Sequence, residues 1–383
     1  PGERRRMTSE IRGDEMAKTY RVGIIGRTGK GDYGHGVDVA ISKVPNVEIV
    51  ALADENEAGR AAAAKRTNPK TTYASYREMF AKEKLDIVAI CPRWIDQHRD
   101  MIVAAAEHGC HVYMEKPFCR TLAECDEAMR QLEMRHLKLA IAHISQWSPV
   151  LDVVKSLIHS GEIGDILELR GRGKEDASRG GGEDLWVLGS HIFGLMRAIA
   201  GNATSCFATV LQKKHKVTKA DVAEGNEGIG PLAGDAIDAT YSFANNITGY
   251  FGSHRGAAGN PTRFALQIFG SKGVIETESG YGARTHILKD SSWSPGRTGK
   301  KWEPVTSAGI GKPETRQDLT YENGHIAAIV DLIDCIEKDR QTKCSAADSR
   351  AIIEMIAAIF ESHRVGGPVE LPLKTRANPL TLL

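Results

Sequence analysis

From Arg21 to about Ala142, short apolar runs rich in Val, Ile and Ala alternate with stretches of helical periodicity. That alternation predicts βαβ units and a parallel sheet. The runs RVGIIG, VEIVALAD, DIVAIC and HVYME mark strands one, two, four and five. Between them, residues 96–108 predict a helix with Asp96 as its N-cap and Gly109 just past its end. A second helix over residues 121–135 opens with TLAE, whose Thr and Glu are spaced for a capping box.

After Trp147 the texture changes. A helix runs through His159 and closes at Gly161, a strand follows in DILELRGRG, and then comes the glycine-rich SRGGGEDLWVLGSH. The runs DAIDATYSF, ITGYFGSH, RFALQIFG and GVIETES alternate in the manner of antiparallel strands separated by Gly and Asn turns. Two long helices, over residues 323–339 and 346–363, close the chain. The expected organisation is a disordered tail over 1–19, a Rossmann domain over 20–145, and a C-terminal domain for substrate binding and oligomerisation over 146–383.

Composition narrows the function. The 383 residues carry 50 Lys+Arg against 49 Asp+Glu, so no basic field exists to hold nucleic acid or an anionic membrane. A small-molecule ligand is expected instead. The seven cysteines are odd in number and lack a CxxC pair, a usage that suits reduced thiols in a cytoplasmic protein. Apolar runs stop short of the ~18–20 residues of a transmembrane helix. Arg4, Arg5 and Arg6 resemble a twin-arginine signal, yet no apolar segment follows them before the first strand.

The first strand leads directly into GRTGKGDYGHG, with a helix starting near Gly36. Glycines in such a turn let the backbone approach a pyrophosphate and aim a helix N-terminus at its charge. Counted from Gly26, a strict GxGxxG finds Gly31 at its sixth place and Thr28 at its third, with Gly29 beside it. Asp54 ends the second strand, near the offset expected of an acid that binds ribose hydroxyls. A carboxylate there repels a 2′-phosphate, so NAD is favoured. Arg60 and Thr28 keep NADP open.

Strand one with its glycine turn, Asp54, YREMF, ICPRWIDQH and MEKPF are followed by SPVLDVVKSLIHSGEIGDI, GGEDLWVLGSHIF, IFGSKGVIET and GHIAAIVDLIDCIEKDR. In that order they resemble the Gfo/Idh/MocA family, named for glucose–fructose oxidoreductase and inositol dehydrogenase, over residues 21–371. The resemblance implies an α/β protein: an N-terminal Rossmann parallel sheet plus a C-terminal α/β domain with a large, mostly antiparallel sheet that often packs on another subunit, hence a homodimer or homotetramer. It also implies reversible hydride transfer between a sugar or cyclitol hydroxyl carbon and a nicotinamide.

Site residues follow from the same resemblance. Lys116, just past strand five, is positioned to stabilise a developing alkoxide, with Glu115 tuning it and Pro117 fixing the chain behind it. His191 matches the helix histidine that serves as general acid/base. Pro92, Trp94 and His98 fall in the loop that meets the cofactor, together with Arg93. His143 and Trp186 are candidates for the substrate wall. Two family aspartates are missing: Val187 and Gly194 stand at their places. Asp184 is the candidate replacement and Glu183 the weaker one, Asp184 having an alternative use as a helix cap. This incomplete set keeps open a relative that uses tightly bound NAD for glycoside elimination or hydrolysis, and a non-catalytic dinucleotide-binding regulator. No HxxxH, HExxH or paired-cysteine spacing suggests a metal, and no GxSxG a serine nucleophile.

Overall fold

The computed structural model describes residues 18–383. The expected tail therefore lies almost wholly outside the described residues, with the three arginines. Its last part is not loose, since Lys18 already reaches Asp86 at 2.9 Å.

The strands of the first half are β1 (Tyr20–Ile25), β2 (Val47–Ala53), β3 (Thr71–Tyr73), β4 (Ile87–Ile90), β5 (His111–Met114) and β6 (Leu139–Ile141). They form one parallel sheet in the order β3-β2-β1-β4-β5-β6. β1 and β4 are nearly continuous apolar runs because helices cover both their faces. Those helices are α1 (Val37–Ser42), α2 (Glu57–Thr67), α3 (Tyr76–Lys82), α4 (His98–Glu107) and α5 (Leu122–Glu133). Strand order reverses between β1 and β4, and the crevice beyond their carboxyl ends is where such sheets bind ligands.

Two helix starts differ from expectation. Ile95–Gln97 is a 3₁₀ turn leading into α4, and Asp96 caps nothing. Its carboxylate is taken by Arg27 of the glycine turn, with Nη1 at 2.7 Å, an ion pair that outweighs a cap. Thr121 does cap α5 by accepting from the Glu124 amide, but Glu124 turns to the Arg120 backbone and guanidinium, so the box is half formed.

The second half opens with α6 (Pro149–His159) and β7 (Ile166–Arg172). A helical run over 182–200 follows, then β8 (Ala203–Gln212). β7 lies inside an 11-stranded sheet, parallel to Thr248–His254 on one side and antiparallel to Ala265–Gly270 on the other. The remaining ladders are antiparallel. The four alternating runs are strands as expected, whereas Thr285–Leu288 and Glu303–Thr306, short and turn-flanked, extend the sheet further than periodicity indicated.

The closing helices, Tyr321–Glu337 and Ala346–Val365, return to the first half and pack on α1 and α5 respectively, while the latter also covers β8. Buried apolar side chains from both halves consequently form one connected core. No helix among the described residues is long and apolar enough to cross a membrane.

Candidate active site

The glycine turn is shaped by contacts only glycine permits. Gly31 adopts φ +84°, and a Cβ there would stand 2.4 Å from the Arg93 amide nitrogen and 2.6 Å from that of Trp94. The loop after β4, carrying Pro92, Arg93 and Trp94, thus lies directly against the turn, joined by the Arg93 amide to the Gly31 carbonyl at 3.3 Å. Gly26 is covered by the Tyr33 ring. Gly29 and Gly36, both at φ +84°, face open space. Gly36 is the N-cap of α1 and offers no capping side chain, so first-turn amides are left for an anion.

Asp54 is buried at the end of β2 and accepts from the Thr28 hydroxyl at 2.7 Å and from the amides of Thr28 and Asn56. Thr28, at the place of the second fingerprint glycine, thereby ties the turn to β2. Arg60 donates to the Asp54 carbonyl at 2.6 Å, which points its guanidinium at the backbone. The bare α1 terminus and the open glycines together fit a dinucleotide.

His98 was expected at the cofactor but is fully buried, with Nδ1 2.8 Å from the Pro117 carbonyl and Nε2 2.8 Å from that of Pro92. Neither ring nitrogen is left for a ligand. The side chain instead pins the loop after β4 to the one after β5.

Glu115 lies behind Lys116 and is gripped by a residue that sequence reading passed over. The backbone amide of His35 donates to Glu115 Oε1 at 2.9 Å, and His35 Nδ1 lies 2.7 Å from the same oxygen. Burial pushes this carboxyl up, but the His35 contact and the Lys116 charge outweigh it and hold it at about 2. His35 sits in the glycine turn, so Glu115 clamps that turn to β5. A histidine in GDYGHG was the only available signal.

Lys116 Nζ crosses to the second half and donates to the Val187 carbonyl at 2.6 Å. Residues Leu185–Gly189 form a π-helical turn, a widened turn common at functional sites. Its carbonyls take side-chain donors: Lys116 at Val187, and Ser190 Oγ at Trp186, 2.9 Å away. Burial lowers the Lys116 pKa, opposed by Glu115 and Glu227 and reinforced by Arg93 and Arg179.

One turn further on is His191. Burial lowers its pKa well below 6.5, helped by Lys116, His143 and His35, so it is neutral at physiological pH, and its Nδ1 has no partner among the described residues. His143 meets it edge to face at 5.2 Å, its own pKa driven to about 3 by burial and then by Lys116. His143 Nδ1 faces the Cys344 thiol at 3.7 Å, and Nε2 has no partner among the described residues. The structure thus brings Lys116, His143 and His191 together from both halves.

Two candidates lie elsewhere. Trp186 is stacked on Phe360 of the last long helix, ring centroids 5.8 Å apart, so it is core and presents no face to a sugar. Asp184 accepts from Ser253 Oγ at 2.5 Å and from the Glu175 amide at 3.2 Å, and burial raises its pKa. Nor is it a cap, because the helical run begins at Gly182 behind Gly181. Its carboxylate fastens the run to the sheet. Glu183 accepts from Asn226 Nδ2 at 2.8 Å, in a loop that also meets the Ile95–Gln97 turn.

A Rossmann sheet with an anion-ready glycine turn, facing a large antiparallel sheet across a lysine and a neutral histidine, defines a dinucleotide-dependent oxidoreductase. Residues 20–143 match the model of the oxidoreductase family with the NAD-binding Rossmann fold, and residues 152–276 match the GFO/IDH/MocA C-terminal domain. The chain belongs to the Gfo/Idh/MocA family of oxidoreductases. It is 26% identical to an uncharacterized oxidoreductase of Bacillus subtilis, over 93% of this chain and 98% of that protein. It is 22% identical to the D-apiose dehydrogenase of Paraburkholderia graminis, over 86% of this chain and 84% of that one. Its fold matches a levoglucosan dehydrogenase solved with NADH and levoglucosan, TM-score 0.73 at 21% identity, covering 92% of this chain and 100% of that one.

Proposed function

We propose that this protein oxidises a hydroxyl-bearing carbon of a sugar, sugar derivative or cyclitol in an NAD-dependent dehydrogenase reaction, with the substrate held between the two halves. The observation that carries this reading is the buried Lys116 ammonium bonded to the same helical run that presents the unpartnered Nδ1 of His191. NAD, when bound, would supply the hydride acceptor; Gly29, Gly31, Thr28, Asp54 and the 92–94 loop would hold it. Lys116 donates to the reacting oxygen and stabilises its developing negative charge. His191, neutral, takes the hydroxyl proton, so the substrate loses a hydride from carbon and a proton from oxygen. His143 packs edge to face against His191 and holds its ring in place. Asp54 favours NAD over NADP by repelling a 2′-phosphate. The seven buried free thiols support a reducing, cytoplasmic setting, and the outward face of the large sheet supports a homodimer or homotetramer.

The test is an assay of purified protein with NAD and a panel including myo-inositol, levoglucosan and D-apiose. Net growth of the reduced-cofactor absorbance is expected for at least one. Lys116→Ala is expected to lower kcat/KM by roughly 10²–10³ while NAD affinity changes little. Product formed without net reduced cofactor overturns the dehydrogenase reading, and so does full activity in Lys116→Ala.

A further inference from the structure

After β8 the chain turns back for one short pairing, His215–Lys216 on Leu211–Gln212, and then leaves the sheet. A short hairpin, Ala223–Glu224 paired with Pro231–Leu232, reaches out, and its tip at Asn226–Gly228 meets the Ile95–Gln97 turn of the Rossmann half. The tip is pinned on both sides. Asn226 Nδ2 donates to Glu183 Oε2, and Gly228, at φ +71°, lies so close that a Cβ would stand 2.7 Å from the Asp96 Cβ. Asp96 is itself held by Arg27 of the glycine turn.

Between the two pins is Glu227, at φ 53° and ψ 22°. This is the left-handed region, where a glutamate has no short side chain to compensate and persists only when its surroundings impose the conformation. The residue is half-buried, and among the described residues no hydrogen bond or ion pair engages its carboxylate. Its neighbours tie it between the helical run, through Glu183, and the Ile95–Gln97 turn after β4, through Asp96, the two sides of the site, and its charge bears on both Lys116 and Glu183.

We propose that Glu227 supplies the substrate-facing carboxylate that the helical run lacks at Val187, accepting hydrogen bonds from the hydroxyls of a neutral vicinal diol next to the reacting carbon. The proposal rests on the dehydrogenase reading for its substrate and on the pinned hairpin for its geometry. A carboxylate suits this task because one oxygen accepts from each of two neighbouring hydroxyls. The Val187 carbonyl, already accepting from Lys116, has one lone pair left and cannot accept from both hydroxyls of a diol. Sequence spacing gave no sign of Glu227, since the residue belongs to a loop about forty positions from the site helix.

Two measurements test it. With the best substrate of the panel, Glu227→Gln is expected to raise KM roughly 10–100-fold, with kcat within about threefold and NAD affinity unchanged, as befits loss of hydrogen bonds to a charged group. An unchanged KM overturns the proposal. Independently of any substrate, carbamylation of Lys116 by cyanate, followed by peptide mass spectrometry across pH, reports the free amine. Removing a nearby negative charge favours that form, so the midpoint in Glu227→Gln is expected roughly 0.5–1 pH unit lower than in the wild type. Identical midpoints overturn the placement of Glu227 whatever becomes of the functional reading, whereas a wild-type enzyme that oxidises no polyol overturns that reading alone.

Discussion

His143, His191 and His325 are buried as neutral bases, and the acid stability of the protein follows from that. Burial lowers His143 to about 3 and His325 to about 4, whereas in the unfolded chain both titrate near 6.5. Their stabilising contribution is therefore complete above about pH 6.5 and is lost as pH falls toward their folded values, because only the unfolded chain gains the proton. Each removes up to about 1.4 kcal/mol per pH unit across that window. Urea midpoints are expected to hold between pH 7.5 and about 6.5 and to fall from there to pH 5, and His143→Asn is expected to flatten that fall; a midpoint constant from pH 6.5 to 5 refutes the buried neutral state. Lys116 and His191 were legible through the family resemblance of MEKPF and GGEDLWVLGSHIF, and the structure brings them to one helical run. The roles of Trp186 and His98 were not legible. What decides their role is a distant partner, Phe360 for one and the Pro92 and Pro117 carbonyls for the other.

Among the elements, the glycine turn and the π turn carry the site, and they differ in how visible they are. The turn announces itself through composition and its place after β1, and its glycines are not equivalent. Gly29→Ala meets open space and is expected to cost about 1 kcal/mol, the ordinary penalty for a side chain at positive φ. Gly31→Ala drives a Cβ into the backbone of Arg93 and Trp94, which cannot swing aside. A loss of about 3 kcal/mol or more is expected there, with NAD affinity down at least about tenfold by cofactor titration. Equal behaviour of the two variants contradicts the close approach of the loop after β4. The π turn over Leu185–Gly189 could not be read from residue pattern, because a widened turn leaves hydrophobic periodicity almost intact and shows itself only in which carbonyls find outside donors.

At the scale of the whole molecule, the Rossmann half was readable nearly strand by strand, since parallel strands buried on both sides give continuous apolar runs. The large sheet was readable as alternation, but its full width was not. Its outward face holds a groove of about 910 Å³ lined by Arg170, Arg172, Arg263, Glu276 and Glu278, with Phe207 51% and Tyr250 42% exposed. Aromatics flanked by both signs of charge suit a self-complementary contact, in which each patch meets its own copy across a two-fold axis. Light scattering at micromolar concentration is expected to show at least a dimer, and Phe207→Glu with Tyr250→Glu is expected to reduce the mass to that of one chain. An unaltered mass places the contact elsewhere.

The bond from Lys116 to the Val187 carbonyl has a thermodynamic consequence on the proposed chemistry. Before a substrate arrives, the protein already satisfies its own ammonium, so an incoming hydroxyl must displace an internal competitor of nearly equal appetite. Apparent affinity is then a difference between two hydrogen bonds, small even where the contact itself is strong, while the alkoxide formed later, carrying charge the carbonyl lacks, wins the exchange outright. Selectivity of this kind leaves the ground state loosely held and concentrates attraction on the moment of reaction.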